Sequence, residues 1–594
     1  MPSPQVYRGL VRKLVVGIDV GTTFSGVSYA VLDPGEVLSI RTINRYPGQE
    51  NDSGNSKIPS VLYYRQDGTL HSVGAEAKAP GMELVAEDEN LIFVEWFKLH
   101  LRPESLDAGA ISRKDLAPLP PKKTVIEVFA DFLNYLFDCA RRYISETHGN
   151  GESLWNSVKD RIEFVLSHPN GWEGLQQGKM RQAAVLAGLV PDTTVGHSRI
   201  HFVTEGEASL NYCINNGLAT HAMQDGKGVI IVDAGGGTVD ISSYLFLSTS
   251  PVSVEEVTSP ECILQGSTRV NVRLHEHLKK HLASSAFANE EDIKSMLEHF
   301  DQNAKPVFKD EKEPSYIKFG GMKDNDPKVN IRRGQLTLSG SDMASFFKPA
   351  LQSIFNAIQS QRDGASSTLL TAFLVGGFAA SPWLYSSLKK KLEARGVALY
   401  RPDSHTNKAV ADGAVSFYLD HFVSSRVTKV TYGTEVCVKY DPDDPEHFAR
   451  RYQKFVRPSG TFRLPNGFSV VLQKGTRIRE KEEISEWFLQ EARESRTLST
   501  ISCDVICYRG RGTPTWVDVD PEMFAPLCTI YADTSRVSRQ SKQGINGVYY
   551  TQEFKIVLLC GLTEMQAQLS WMENGVEKRG PARIVYDDDL QISR

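Results

Sequence analysis

An aspartate, three glycines, a threonine and a second aspartate fall together in Asp233-Ala-Gly-Gly-Gly-Thr-Val-Asp240. The chemistry open to that set is the holding of a phosphate. Backbone N–H groups of Gly235, Gly236 and Gly237 can converge on an anion because no side chain intervenes. Two carboxylates would repel a bare phosphate. They make sense with hydrated Mg²⁺ between, an ion that keeps its waters and takes few protein carboxylates. Residues 228–232 form an apolar run that reads as a buried strand, and residues 241–246 read as a second strand after the turn.

The arrangement recurs near the N-terminus. Residues 14–18 lead into Asp19-Val-Gly-Thr-Thr-Phe-Ser-Gly26, and residues 27–32 follow as a strand. A lone Gly-rich turn marks any hairpin. Two copies about 210 residues apart, each led by Asp and followed by a strand, predict two related lobes around one nucleotide. A third element is the strand 371–375, the turn Gly376-Gly-Phe-Ala-Ala-Ser-Pro382 and a helix over 383–392, with Ser381 as cap and Pro382 in first position. Gly376 and Gly377 permit close approach by a ligand. Taken alone, the element reads as a plain strand–helix connection.

These motifs need a scaffold. At 594 residues the chain is too long for one core, and two to four domains are expected. Residues 12–225 and 226–424 would each carry one hairpin. A helix over 124–143 presents Ile126, Phe129, Leu133, Phe137 and Ala140 as one stripe, which core packing explains. Helices are also expected over 289–300 and 341–361, a loop-rich stretch over 80–123, and a charged insertion loop over 310–328. After 425 the period changes to two, with strands at 434–440, 467–472, 501–508, 553–560 and 567–571. That pattern predicts a β-rich domain over 425–594. No long helical segment is expected behind it, and the last residues form an acidic, unpatterned tail.

The net charge of −5 is mixed in sign, without the clustered basic face that nucleic-acid binding needs. No run of 18 apolar residues occurs, so no membrane span is expected. Residues 1–8 lack an apolar signal core, and eight scattered cysteines fit reduced thiols, so a cytoplasmic location is the expectation. Cys503 and Cys507 would share one face of a strand, as core packing requires. A metal site there would need two further ligands, and none stand out.

In this order and spacing the three motifs resemble the actin-like ATPase superfamily, and within it the seventy-kilodalton heat-shock chaperones. Lys57-Ile-Pro-Ser-Val-Leu-Tyr-Tyr64, Phe164-Val-Leu-Ser-His-Pro169, Val203-Thr-Glu-Gly-Glu-Ala208 and Ala409-Val-Ala-Asp-Gly-Ala414 are similar to further family stretches. The resemblance covers residues 12 to about 420. It implies an α/β fold, a two-lobed actin-like ATPase domain of duplicated ribonuclease-H-like type, followed by a smaller β-rich domain that binds clients or partners. It implies ATP and Mg²⁺ in the cleft. Gly21, Thr22, Thr23, Gly235, Gly236, Gly237 and Thr238 would hold phosphates, with Gly376 and Gly377 beside the nucleotide. Asp19 and Asp233 would hold Mg²⁺ through water. Lys98 matches the family's catalytic lysine, with Glu205, Asp233 and Asp240 orienting water or metal. Read without the family, a lone Lys98 in an amphipathic segment sits in solvent, Glu205 is a surface neighbour of Glu207, and Thr238 is a turn residue.

The chain departs from the family pattern at several points. Gln265-Gly-Ser-Thr268 replaces the usual Gly-Gly-Glu-Asp, the adenosine-side Lys-Arg pair is at best Lys305-Pro306, and residues 425–433 replace the acidic-leucine linker. In these departures it resembles the atypical heat-shock-like subfamily of fungi and animals. The reading is an ATP-dependent, chaperone-like protein. A nucleotide-dependent scaffold with negligible hydrolysis stays open, as does a small-molecule kinase of the same superfamily, for which no aspartate base is identifiable.

Overall fold

The computed structural model describes residues 6–50, 55–103, 116–172, 174–217, 224–365, 367–401, 408–479, 481–560 and 564–584. The chain divides into two compact units, Met1–Trp172 with Lys179–Val423, and Glu173–Gly178 with Ser424–Arg594.

In the first unit, strand β1 (Lys13–Asp19) and strand β2 (Phe24–Leu32) form an antiparallel hairpin with Asp19 opposite Gly26. On its other side β1 pairs in parallel with β3 (Ile162–His168), and β3 with β4 (Ile200–Thr204). Arg41–Thr42 and Ile58–Pro59 also pair with β2, which completes six strands. The second sheet repeats this plan. Strands β5 (Gly228–Ala234) and β6 (Val239–Thr249) form a hairpin with Asp233 opposite Asp240, and β7 (Val252–Glu256) lies beyond β6. Strand β8 (Leu369–Val375) is parallel to β5, and β9 (Ala398–Tyr400) is parallel to β8. The central strands β1 and β5 are buried almost throughout, which is why they read as unbroken apolar runs rather than alternating ones.

Helices supply the second layer. Helix α1 (Val125–Thr147) opens on a capping box: Thr124 accepts from the Glu127 N–H, and the Glu127 carboxylate accepts from the Thr124 N–H. It buries Phe129, Phe132, Leu133, Leu136 and Ala140 in the core of the first sheet. Full burial of a side chain such as Phe129 contributes about 2 kcal/mol. Helix α2 (Glu205–Asn215), capped by Thr204, is buried along nearly its whole length. In the second sheet's core lie α3 (Thr268–His281), α4 (Glu290–His299), α5 (Gly340–Gly364) and α6 (Pro382–Glu393). The α6 cap is as read from sequence, with Ser381 Oγ accepting from the Leu384 N–H at 3.3 Å. Helix α7 (Ala409–Asp420) packs against α2 and β1. No helix among the described residues is long and apolar enough to cross a membrane.

Two expectations fail. Residues 310–328 are not simply a loop: Ser315–Lys318 is a strand in a three-stranded sheet with Gln335–Leu338 and Ile331–Arg332. Its Ile317 is fully buried, but with Tyr316 exposed beside it and only four residues in the strand the segment offers too little alternation to read. Within 80–123 the chain forms a helix at Met82–Asp88 and a strand at Ile92–Glu95, while residues 104–115 lie outside the described set. The acidic tail also lies outside it.

The second unit holds two antiparallel sheets. In one, Phe455–Val456, β11 (Phe462–Leu472), β10 (Thr431–Lys439), β13 (Thr500–Tyr508) and β14 (Phe524–Asp533) follow in order. The other runs β12 (Glu483–Ala492), β15 (Gly547–Cys560), β16 (Met565–Glu573) and Val576–Arg579. Ile501, Val505 and Ile530 from the first meet Ile556, Leu558 and Leu569 from the second in one core. The five strands read from sequence are present, and β12 and β14 are additional. Both are end strands. Trp487 is exposed on β12, and Pro526 on β14 sits where the register to β13 shifts, so neither shows clean alternation. Cys507 is buried in this core, Cys503 packs at its margin, and all eight cysteines are free.

Candidate functional site

The two hairpin tips meet. A Cβ on Gly236 would overlap Thr23 Oγ1, and a Cβ on Gly237 would overlap Thr22 Oγ1, so these positions admit only glycine at this separation. Gly21 N donates to Ser25 Oγ at 3.1 Å, and Gly235 N to the Thr238 carbonyl at 2.9 Å, closing each turn internally. The turn before α3 braces the second tip: the N–H groups of Gly266, Ser267 and Thr268 donate to the carbonyls of Gly237, Gly235 and Gly236. The Gln265-Gly-Ser-Thr268 segment therefore serves the glycine turn through its backbone. Gly376 follows β8 at φ +91°, in the left-handed region, and a Cβ there would overlap Asp233 Oδ1. Gly377 faces open space instead, with nothing within 4 Å of where its Cβ would be.

Four carboxylates and two ammonium groups collect behind these tips. At the end of β1, Asp19 receives Lys57 Nζ on Oδ2 and the Ser167 hydroxyl on Oδ1 at 2.9 Å. At the end of β5, Asp233 Oδ2 accepts from Ser209 at 2.6 Å. Across the hairpin, Asp240 Oδ1 accepts from the Asn170 N–H at 2.5 Å, while its buried Oδ2 has no well-formed hydrogen bond among the described residues. At the start of α2, Glu205 Oε1 accepts from Lys98 Nζ at 2.5 Å. Lys98 lies in the short helical turn Phe97–Leu101 and is 3% exposed, its ammonium 5.7 Å from the Trp172 ring centroid. The solvent-facing reading of Lys98 and the surface reading of Glu205 are both corrected here: the two form a buried ion pair.

Electrostatics separate these groups. Burial would raise Asp19, but Lys57 and Lys98 reverse that and hold it below the usual carboxylate range. Burial, then the Glu205 charge, pushes Asp233 up to about 7, with Ser209 opposing. Asp240 rises well above its ordinary value through burial and the charges of Glu205 and Asp233. Burial favours loss of the Lys98 proton, yet Glu205, Asp19 and Asp240 outweigh it and raise the group. Burial likewise raises Glu205, against the pull of the Lys98 charge.

Among the described residues no group of three or more His, Cys, Asp or Glu forms a direct metal cage. Lys305 is held away by Asp301 and by Asn271 Oδ1 at 3.0 Å. Sequence reasoning passed over Lys57, Ser167, Ser209 and Asn170. Ser209 was detectable, being four residues after Glu205 on one helix face. Lys57, Ser167 and Asn170 reach the site only through the sheet pairing that brings β2 and β3 beside β1.

No protein-family model matches the chain. It is 23% identical over 517 aligned positions to mouse Heat shock 70 kDa protein 12A, covering 72% of each chain. Human Heat shock 70 kDa protein 12B is 23% identical over 509 positions, again with 72% of each chain covered. Chaperone protein HscA of Pectobacterium atrosepticum is 28% identical over 236 positions, 39% of this chain and 32% of that protein. The longer matches span most of the chain. With the paired Asp-led hairpins, they make the chain similar to the seventy-kilodalton heat-shock proteins, as a divergent relative at 23–24% identity.

Proposed function

We propose that the chain binds ATP with Mg²⁺ between two actin-like lobes, 12–225 and 226–424, and hydrolyses it to ADP and phosphate. In this reading the nucleotide state governs a client or partner held by 425–594. One observation carries it: two Asp-led Gly/Thr hairpins of equal topology stand tip to tip over a buried Lys98–Glu205 pair.

The residues fit the implied metal. Four buried carboxylates face two ammonium groups, one carboxylate oxygen of Asp240 makes no hydrogen bond among the described residues, and burial with the Glu205 charge pushes Asp233 upward. A divalent ion with its waters balances that excess, and it supplies charge neutralisation for the β- and γ-phosphates. The chain's own groups do the rest. Backbone N–H groups of Thr22, Thr23, Gly236, Gly237 and Thr238 would hold the phosphates from two sides, while those of Gly21 and Gly235 are used to close their own turns. The Lys98 ammonium faces charge developing on the γ-phosphate, and Glu205 fixes its position. Asp240 Oδ2 is available to orient the attacking water. Asp233 and Asp19 would be the carboxylates that order the waters of a bound ion.

A scaffold that binds ATP without appreciable hydrolysis has its own support. Lys305 is tied to Asp301 and Asn271, and the acidic pair at 267–268 is absent. Steady-state ATPase measurement with and without an unfolded peptide separates the readings. Peptide-stimulated hydrolysis supports the chaperone-like enzyme; stoichiometric ATP binding with no turnover supports the scaffold; hydrolysis only with a phosphate acceptor would indicate a kinase. Protease cleavage at residues 426–432, compared with ADP and with ATP, tests coupling to the second unit. Equal rates would count against an allosteric cycle.

A further inference from the structure

Lys57 enters the site by a route unlike that of Lys98. The pairing of Ile58–Pro59 with Phe24 and Ser25 sets the chain beside β2. The Lys57 stem then runs over Gly26, where a Cβ would lie 3.3 Å from Lys57 Cδ, and Gly26 is the cross-strand partner of Asp19. Nζ meets Asp19 Oδ2 while Ser167 occupies Oδ1, and the Lys57 and Asp19 side chains are only 13% and 6% exposed. Both Asp19 oxygens are thus satisfied by the protein. In contrast, among the described residues no cation pairs with Asp233, and Asp240 Oδ2 has no well-formed hydrogen bond.

Resting on the proposed function, we infer that Lys57 is a built-in counter-charge for the first hairpin. As a positioning residue acting through Asp19, it takes over at that end the role that metal charge plays at the other. A bound Mg²⁺ would then rely for its water shell on Asp233 and Asp240 more than on Asp19, and part of ATP binding is independent of metal because Lys57 supplies it. A cation already ion-paired in a buried site is pre-organised, so phosphate charge meets it without reorganisation.

The test is equilibrium binding of ATP to the full chain, with Mg²⁺ and with EDTA, by calorimetry. In Lys57→Met, metal-free ATP should bind about tenfold more weakly, with a smaller loss for Mg-ATP, so the ratio of the two affinities widens. Lys57→Arg should keep the parental ratio, and Asp19→Asn combined with Lys57→Met should return towards it. A purely structural lysine would weaken both forms equally, and that result, or no change in the ratio, overturns the inference while leaving ATP binding intact. Failure of the parent to bind ATP in either condition overturns the proposed function and this inference together. If thermal melting shows Lys57→Met unfolded, the contrast between Lys57→Gln and Lys57→Arg decides by the same criterion.

Discussion

The hairpin at Asp19 and the hairpin at Asp233 share a strand order, a cross-strand register and a Gly/Thr tip, yet their leading carboxylates differ. Asp19 has Lys57 on one oxygen and Ser167 on the other, and is held below the usual range. Asp233 accepts from a serine hydroxyl, stands near Glu205, and is pushed up to about 7. The backbone plan is repeated, but the charge state is set by what neighbouring elements bring. Strand β3 and the Ile58–Pro59 pairing bring a hydroxyl and an ammonium to the first end; α2 brings a hydroxyl and a carboxylate to the second. Equal motifs therefore need not do equal chemistry.

The largest effect is expected at Lys98, whose field reaches both ends. Lys98→Ala should lower turnover by about a hundredfold or more while changing ATP affinity much less, because its charge counts most in the transition state. Collapse of affinity with unchanged turnover of bound ATP would make Lys98 a binding residue instead.

Next is Gly376, which touches only the second end. Gly376→Ala forces a side chain into a left-handed backbone and against Asp233 Oδ1, at about 1–3 kcal/mol. A lowered melting temperature together with weaker ATP binding is expected. Unchanged melting would show that the turn relaxes.

The sharpest probe of the contrast is the pair of amides. Asp233→Asn should weaken Mg-ATP about tenfold more than metal-free ATP, whereas Asp19→Asn should not, because its charge is already matched by Lys57. Equal behaviour of the two variants in paired titrations would erase the distinction drawn here.

The smallest effect is on pH dependence without nucleotide. The folded value of Asp233 is raised from 3.8 to about 7, so its contribution to stability is complete below pH 4 and is lost as pH rises towards 7. That slope amounts to at most about 4 kcal/mol, and it should flatten in Asp233→Asn when apparent melting temperatures are compared across this window. Asp19, lowered instead, has the opposite sign: its contribution is present above its ordinary value and lost as pH falls below it.

Local composition determined much of the chain. Apolar runs bounded by Asp and Gly marked β1, β5 and the strand ahead of Gly376, because strands buried on both faces need no alternation. Caps at Thr124, Asn289, Ser339 and Ser381 mark where helices start, since each side chain satisfies an N–H within its own turn. The Gly/Thr tips were legible as well, because the conformational freedom they need is a property of the residues themselves. Tertiary structure alone decided the charges. Nothing near Lys57 in sequence pairs it with Asp19, and nothing near Lys98 pairs it with Glu205, 107 residues away. The end strands β12 and β14 were hidden for a related reason: an exposed tryptophan and a proline break the period that only a covered face enforces. Secondary structure follows from interactions a few residues long, whereas the ionisation of a buried carboxylate depends on burial and on charges that the fold gathers from distant segments.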